Sequence, residues 1–399
     1  MRLQIERNWF REQLWEVADF WLKNGMDPVN GGVYTCLDEN GQLYSTDKSV
    51  WMQGRCAWTF AQLCSQYGIR QEWLDASRSC LDFLENHCIN HEKGDRLYFT
   101  VTAEGKPLRQ RRYFASEAFY CMGNAAYYGV TGEKVYLERA RWGYSRYWDL
   151  NHDLPDPVGM PPKVDPQTRA AKALGFPMCM LNVASIMRKV DPEQADLYRA
   201  NSDQCVRYIL QRHVKPELGA TLERVAPDGT PRLDISDGRV VNPGHCIECS
   251  WFLMERARIT DDDALKQQAI QIFDMAYEKG WDKEYGGLFY FIDCLGKPPE
   301  AYEHDMKLWW PHNEALIASL MIYRETGDKK YREIFLQILD YCKQHFANAA
   351  CGEWYGYLRR DGKPTMPACI GSTFKGPFHV PRCLMLVDQI LGEMEKENG

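Results

Sequence analysis

The sequence predicts an all-α fold: an (α/α)6 barrel, in which six helix pairs form a closed ring with short β-hairpins at one end. A hairpin-like motif recurs at regular intervals, and the segments between its copies have the periodicity of two helices. Because each helix pair must bury its apolar face against both neighbours, six pairs close into a ring. An open superhelix of helical pairs is the alternative.

The recurring motif is a run of aromatic or β-branched residues that leads into an acidic residue and a glycine turn, which is typical of a small hairpin. Its copies span residues 31–41, 95–107, 219–231, 286–298 and 352–364. The turn glycines recur about every 65 residues, with one double interval between Gly105 and Gly229. The proline-rich segment 154–166 in that interval is either a degenerate sixth copy or an inserted loop. Six such units account for the 399 residues, predicted to be a single domain, 1–399.

Helical periodicity predicts two helices between successive hairpins. The predicted helices are residues 55–66, 73–87, 113–130, 133–149, 173–189, 192–213, 244–258, 262–279, 312–326 and 329–346. One helix within 1–24 and one within 365–399 supply the last pair, so the two ends of the chain complete the ring. Gly132 and Gly327 are expected to end helices as C-cap residues.

Composition and charge exclude several classes of protein. The 48 basic and 55 acidic residues give a net charge of −7 without a basic stripe, which argues against a nucleic-acid partner. No apolar run approaches the roughly 18–20 residues that span a bilayer, and the first residues lack a signal-peptide pattern. Fifteen cysteines scattered through apolar stretches favour reduced, buried thiols in a cytoplasmic protein.

Polar residues near the start of the first helix of each pair are expected to converge on one cavity. Each first helix begins just after a hairpin, so all of them begin at the same end of the barrel. Residues that follow a turn glycine by similar distances therefore share one height. The residues in question are Arg55, Glu117, His245, Glu314 and His379.

The segment 238–252 is the richest in candidate catalytic groups. Asn-Pro-Gly at 242–244 begins a helix, and His245 and Glu248 follow three residues apart on one face. A glutamate beside a histidine can hold its tautomer and raise its basicity, whereas a buried, hydrogen-bonded histidine is the structural alternative. Cys246 and Cys249 form a CxxC pair, but no second ligand pair at metal spacing is evident, so neither a metal nor redox chemistry is favoured.

The second candidate is His379, which a Gly-Pro turn presents at the start of a helix. A helix N-terminus disfavours a protonated imidazole, so His379 is expected to be a neutral base. A structural histidine in a turn is the alternative. Two histidines at matching repeat positions favour a function for both.

Aromatic residues accompany these polar groups. Trp309 and Trp310 stand beside polar residues and could stack on a sugar face, although the barrel core is the commoner place for tryptophan. Arg55 lies between Trp51 and Trp58 on one helical face and could bind sugar oxygens as a fixed fork of donors. A surface cation–π pair is the alternative.

Five segments of the chain carry a specific resemblance to a known family. They are 51–55, 242–248, 281–287, 307–314 and 378–382. Over nearly its whole length the chain resembles the N-acylglucosamine 2-epimerase family, also called renin-binding protein, whose fold is an (α/α)6 barrel. The resemblance implies interconversion of N-acetylglucosamine and N-acetylmannosamine. It also implies that His245 and His379 are the acid/base pair, with Arg55, Glu248 and Glu314 in the pocket.

The wider superfamily includes enzymes for cellobiose, mannose and sulfoquinovose. Cellobiose epimerases and sulfoquinovose isomerases tend to carry a third pocket histidine near residues 176–182, where this chain has none. Cellobiose epimerases also tend to have glutamine in place of His312. Both departures favour the N-acyl-hexosamine branch. The candidate substrate-binding residues are Trp51, Tyr113, Lys172, Asn182, Trp309 and Trp310.

The resemblance also bears on cofactors and partners. The segment 169–172 resembles the N-acylglucosamine branch, some members of which need ATP as an allosteric activator. The sequence contains no P-loop, so ATP is an expectation from the resemblance alone. Family members are often homodimers. The chemistry itself is expected to require no cofactor, and the expected partner is a small sugar.

We hypothesise that the enzyme opens the sugar ring and inverts C2 through an enolate. Two acid/base groups, His245 and His379, would flank that carbon, and Arg55 would stabilise charge on the carbonyl oxygen. An epimerase or aldose–ketose isomerase for another free sugar, such as mannose, glucose or cellobiose, is the nearest alternative. A glycoside hydrolase could use Glu117, Glu248 or Glu314. A non-enzymatic binding protein is a further alternative.

Overall fold

Twelve long α-helices dominate the computed structural model, which describes residues 2–111, 114–152 and 156–397. They are α1 (Arg2–Asn24), α2 (Val50–Tyr67), α3 (Gln71–His87), α4 (Ala115–Thr131), α5 (Lys134–Leu150), α6 (Gly175–Val190), α7 (Ala195–Tyr208), α8 (Pro243–Thr260), α9 (Asp263–Gly280), α10 (Trp309–Thr326), α11 (Lys329–His345) and α12 (His379–Glu397). Within these described ranges, no helix is both long and apolar enough to cross a bilayer.

The even-numbered helices form the inner wall of a closed ring. Each packs against the next in the order α2, α4, α6, α8, α10, α12, and α12 returns to α2. At this closure the rings of Trp58 and Phe378 lie 5.3 Å apart, and the Thr59 hydroxyl donates to the carbonyl of Pro377 at 2.6 Å. The odd-numbered helices pack outside, with α1 against α12. The predicted (α/α)6 barrel, completed by the two ends of the chain, is confirmed.

Inner and outer helices differ in sequence because they meet different surroundings. All of the first 14 residues of α10 are buried, from Trp309 to Ile322, since neighbours surround an inner helix. The outer helix α11 buries only one face and exposes the other, as an amphipathic helix does. Gly54 permits the close approach of α2 and α4, because a Cβ there would lie 2.3 Å from the carbonyl oxygen of Phe119.

The predicted helix boundaries agree with the structure to within a few residues, with one change of helix type. The segment predicted as one helix over 192–213 is α7 followed by a π-helical turn, Ile209–His213. Gly132 and Gly327 end α4 and α10 in the left-handed conformation, as predicted for C-cap residues.

Short antiparallel strands connect each outer helix to the next inner helix. They are β1 (Lys48–Ser49), β2 (Ile89–Asn90), β3 (Arg96–Leu97), β4 (Thr100–Val101), β5 (Pro107–Arg109), β6 (Lys172–Ala173), β7 (Val214–Lys215), β8 (Ala220–Thr221), β9 (Arg224–Val225), β10 (Val240–Val241), β11 (Ile292–Asp293), β12 (Lys307–Leu308), β13 (Ala347–Asn348), β14 (Glu353–Trp354) and β15 (Tyr357–Leu358). The sheets are β1-β4-β5, β2-β3, β6-β9, β7-β8, β10-β11, β12-β15 and β13-β14.

The irregular repeat is an inserted loop. The described part of segment 154–166 contains no hairpin, and it leads into a single helical turn, Pro166–Arg169. Strand β6 then pairs with β9 of the following repeat, Lys172 opposite Val225. Residues 154 and 155 lie outside the described residues.

Two buried lysines tie the connecting loops to the start of inner helices. Lys48, in β1, donates to Asp27 at 2.7 Å and to the carbonyls of Gly31 and Ala103. Lys307, in the equivalent strand β12, donates to Asp282 at 3.0 Å. Both lysines are fully buried, so each carboxylate stabilises a charge that water cannot reach.

Each aspartate of these pairs begins a turn that ends in two glycines. Gly31 and Gly32 follow Asp27, and Gly286 and Gly287 follow Asp282. All four glycines have φ between 73° and 78°, a conformation that residues with a Cβ rarely adopt. The turn and the ion pair together fix the loop that precedes the inner helix.

We expect Asp282→Asn to lower the free energy of unfolding at pH 7 by about 3–5 kcal/mol, because Lys307 then remains buried without its counter-charge. Burial opposes the charged carboxylate, but hydrogen bonds from Arg360, the backbone and Lys307 lower the pKa of Asp282 to about 2. The stabilisation is therefore present above the ordinary carboxyl pKa of 3.8 and is lost as the pH falls towards 2.

Urea unfolding at pH 7 and at lower pH measures this difference. Glu284→Gln, at an exposed neighbouring carboxylate, is the matched control. Equal stability of Asp282→Asn and the wild type at pH 7 would contradict the assignment.

Candidate functional site

The predicted site lies inside the ring at its hairpin end, where the inner helices begin. His245 is the third residue of α8 and His379 the first residue of α12. The side chain of Asn242 accepts a hydrogen bond from the backbone N–H of His245 at 3.1 Å, and Pro243 occupies the first helical position. These two residues fix the helix start and with it the position of His245.

His245 is held by a carboxylate from the short connection between β8 and β9. Its Nδ1 lies 2.9 Å from Oε2 of Glu223, so Nδ1 carries the hydrogen and Nε2 the lone pair of the neutral ring. The backbone of Glu223 bonds to Leu174 and Val240 on either side. Burial opposes protonation of His245, but the charge and hydrogen bond of Glu223 outweigh it and raise the pKa.

The expectation that Glu248 holds the tautomer of His245 is wrong. Glu248 Oε1 instead accepts a hydrogen bond from Arg382 at 2.6 Å. Glu223 was missed because it lies between two connecting strands, whereas the predicted catalytic residues lie on inner helices. The available signal was that Glu223 is an acidic residue within the hairpin motif 219–231.

His379 has the opposite environment. Its Nδ1 donates to Oε1 of Glu314 at 2.8 Å, and its side chain is 8% exposed. Burial and the positive charges of Arg382 and Arg55 lower the pKa of His379 well below 6.5. His379 is therefore neutral, while His245 tends to carry a proton.

Arg382 connects the carboxylates of this site. Its Nη2 donates to Glu248 and to Glu314 at 2.6 Å each, and Trp251 Nε1 donates to the second oxygen of Glu314 at 2.8 Å. Arg382 lies one turn after His379 on α12. Arg382 belongs to the motif 378–382 but was not among the predicted site residues, although its i, i+3 spacing from His379 is visible in the sequence.

The same carboxylates have the donor types of a metal site. Ligand atoms of Glu248, Glu314 and His379 all lie within 4.8 Å of one another. Both carboxylates, however, already bind the guanidinium of Arg382, which supplies the positive charge that a metal would bring. The donor set therefore fits an arginine-centred network better than a cation site.

Trp310 lies next to both histidines. Its ring centroid is 5.2 Å from that of His245 and 5.8 Å from that of His379. The centroids of the two imidazoles therefore lie at most about 11 Å apart. A sugar ring between them could contact both. Trp309 is 2% exposed and packs against Tyr357, so it forms the wall behind this space.

Arg55 is held by phenyl rings and not by the two tryptophans that flank it in sequence. Its guanidinium carbon lies 4.0 Å from the ring centroid of Phe119 and 4.7 Å from that of Phe378, whereas Trp51 is 6.0 Å away. Burial lowers the pKa of Arg55 to about 10, so it stays charged at neutral pH. Arg55 Nε is buried and has no hydrogen-bond partner among the described residues.

The remaining predicted substrate-binding residues have other surroundings. Trp51 packs against Phe99 and Phe119, and Lys172 is exposed in β6. Asn182 lies two turns into α6, on the wall of a separate chamber farther along the barrel axis. Tyr113 lies outside the described residues.

Two further candidates from the sequence analysis have structural partners. Glu117 accepts hydrogen bonds from Arg96 at 2.9 Å and from the backbone N–H of Leu97 at 3.1 Å. His312 accepts from the backbone N–H of Leu288 and bonds to the carbonyl of Leu308, and burial lowers its pKa to about 3. Both side chains thus anchor connecting strands to inner helices.

Comparison with known proteins gives a consistent result. Residues 32–376 match the model of a family described as N-acylglucosamine 2-epimerase (GlcNAc 2-epimerase). The chain is 36% identical to the N-acylglucosamine 2-epimerase of Rattus norvegicus, over 100% of this chain and 94% of that protein. It is 37% identical to that of Bos taurus, over 96% and 90%.

A solved structure shares the fold. The cellobiose 2-epimerase from Bacillus thermoamylovorans superposes with a TM-score of 0.83 at 20% identity, over 97% of this chain and 100% of that chain. At this identity the likeness concerns the architecture of the barrel.

We expect Glu223→Gln to lower the pKa of His245 by about one unit or more, because the amide oxygen still accepts the hydrogen bond but the negative charge is lost. An NMR titration of the His245 ring measures the shift. Glu217→Gln, at an exposed carboxylate in the connection between β7 and β8, should leave this pKa unchanged. An unaltered titration of His245 in Glu223→Gln would show that Glu223 does not control it.

Proposed function

The chain belongs to the N-acylglucosamine 2-epimerase family, and we propose that it interconverts N-acetyl-D-glucosamine and N-acetyl-D-mannosamine with His245 and His379 as the acid/base pair. One observation carries the residue assignment: both imidazoles lie beside the indole of Trp310, at the end of the ring where the inner helices begin. The full-length similarity to N-acylglucosamine 2-epimerases supports the substrate.

The reaction needs two proton transfers at one carbon. In the open-chain sugar the hydrogen on C2 is acidic because the neighbouring aldehyde can take up the electron pair as an enolate. One imidazole removes this proton through Nε2, and the other donates a proton to the opposite face of C2. The C2–H bond breaks on one face and forms on the other, so the pair holds a single proton before and after turnover.

The environments of the two histidines are suited to this sharing. Glu223 favours the proton on His245, and the guanidinium groups around His379 disfavour it there. When the C2 hydrogen of the sugar faces His379, the neutral His379 can remove it directly. The opposite epimer presents its C2 hydrogen to His245, so it reacts only when the shared proton is on His379 and His245 is neutral.

Arg55 is suited to stabilise the enolate oxygen. Phe119 and Phe378 hold its guanidinium in place, so its donors need no rearrangement when negative charge develops.

The geometry disfavours the glycoside hydrolase alternative. Such an enzyme needs a carboxylic acid free to protonate the leaving oxygen and a second free carboxylate. Glu248 and Glu314 both bind Arg382, and Glu117 binds Arg96. Aldose–ketose isomerisation would use the same enolate with proton return at C1, which a 2-acylamino group blocks.

We propose further that no cofactor takes part in the chemistry, because the two imidazoles supply both proton transfers. By resemblance to the family, ATP would serve as an allosteric activator and the protein would act as a homodimer. All fifteen cysteines are free thiols, twelve of them buried, which supports a reducing, cytoplasmic location.

Each of His245→Asn and His379→Asn is expected to lower kcat for epimerisation by at least about 100-fold, because one of the two proton transfers is lost. NMR in D2O follows both inversion and exchange of the C2 hydrogen. Each variant should retain exchange for the epimer whose C2 hydrogen faces the remaining imidazole. His91→Asn, at a histidine whose side chain is 72% exposed, is the control. Wild-type inversion in either site variant would refute the assignment.

The pH dependence of kcat/KM should report a pair that holds one proton. The raised pKa of His245 places the alkaline limb above 6.5, and the lowered pKa of His379 places the acid limb well below 6.5. Glu223→Gln should move the alkaline limb to lower pH and leave the acid limb in place. A shift of both limbs, or of neither, would contradict the proposed roles.

A further inference from the structure

A second chamber opens at the end of the barrel opposite the hairpins. It has a volume of about 390 Å³ and is lined mainly by the C-terminal halves of the six inner helices. At its inner end lie Trp58 and Trp251, near the middle of their helices, and Arg382, one turn into α12. The chamber is distinct from the space between the two catalytic imidazoles, and the proposed reaction does not use it.

The charged side chains of this chamber neutralise one another. Lys189 pairs with Glu255 at 3.0 Å across α6 and α8, and Arg324 pairs with Glu393 at 2.6 Å across α10 and α12. Arg258 lies 3.4 Å from Glu325. Because each of these cations already has a carboxylate, the chamber does not favour an ionic ligand.

Uncharged polar groups remain available. Gln62, Asn182 and Ser185 are half-buried on the chamber wall, and their side chains make no hydrogen bond within the described ranges. Ser185 Oγ in particular is a buried oxygen without a partner there. Amide and hydroxyl groups both donate and accept, as a polyhydroxy compound requires. Two indoles, Trp58 and Trp251, add apolar surface of the kind that packs against sugar rings.

We propose that this chamber binds a small uncharged polyhydroxy molecule of the sugar class, as a second site separate from the catalytic one. This class of ligand follows from three features of the chamber: its volume, its paired charges, and its amide and hydroxyl groups without partners. Trp251 and Arg382 are shared by the chamber and the catalytic network, since both donate to Glu314. A ligand in the chamber therefore contacts side chains that position a catalytic carboxylate. Only this link between the chamber and catalysis rests on the proposed function.

Equilibrium dialysis of the full chain with radiolabelled N-acetylglucosamine tests the proposal. We expect two molecules bound per wild-type chain and one per chain of the double variant Gln62→Leu/Ser185→Ala, whose second dissociation constant should weaken at least about tenfold. Gln62→Trp, which places a bulky indole in the chamber, should also bind one. Gln267→Leu, the same exchange at an exposed position on α9, should still bind two.

The possible outcomes separate this proposal from the proposed function. One sugar per wild-type chain overturns the second site, and so does undiminished binding of two in both Gln62 variants. Displacement of one sugar by inorganic phosphate would assign the chamber to anions instead. Dialysis counts bound sugar whether or not it reacts, so binding of two without epimerisation would uphold the chamber and refute the catalytic assignment.

Discussion

The candidate site depends on one buried guanidinium. Arg382 binds Glu248 from α8 and Glu314 from α10, while itself belonging to α12. Without it, two buried carboxylates would face each other at a high electrostatic cost. By fixing Glu314, Arg382 also fixes the hydrogen bond that orients His379. A single residue thereby joins three inner helices and the base that one of them carries.

Two histidines at equivalent positions in a repeated architecture have acquired different properties. Within the described residues, no arginine side chain hydrogen-bonds to the carboxylate that holds His245, whereas the carboxylate that holds His379 shares its charge with Arg382. Repetition of the helix pair thus supplies the height and direction of each imidazole. In one repeat the carboxylate lies between two connecting strands, and in the other it lies within an inner helix. This difference decides which imidazole keeps the proton.

Much of the architecture could be predicted from the sequence because it follows from local periodicity. Evenly spaced turn glycines indicated six units, and this spacing also placed Arg55, His245 and His379 at one height. Contacts between distant residues were beyond that reasoning. Glu223 acts on a histidine 22 residues away, and Arg382 reaches a glutamate 134 residues away, and nothing in a periodic pattern pairs such positions. The phenyl rings around Arg55 were missed for the same reason, since Phe119 belongs to α4 and Phe378 directly precedes α12.

The closure of the ring by the two ends of the chain has a consequence for biosynthesis. Arg7 in α1 bonds to Asp388 in α12 at 2.7 Å, so α1 is synthesised well before the helix against which it packs. His379 and Arg382 belong to that later helix. A nascent polypeptide therefore leaves the ring open until α12 has been made, and a product that terminates before residue 379 lacks both the closing contacts and the base. Such long-range closure slows folding, and chaperone dependence of the unfinished ring is its natural corollary.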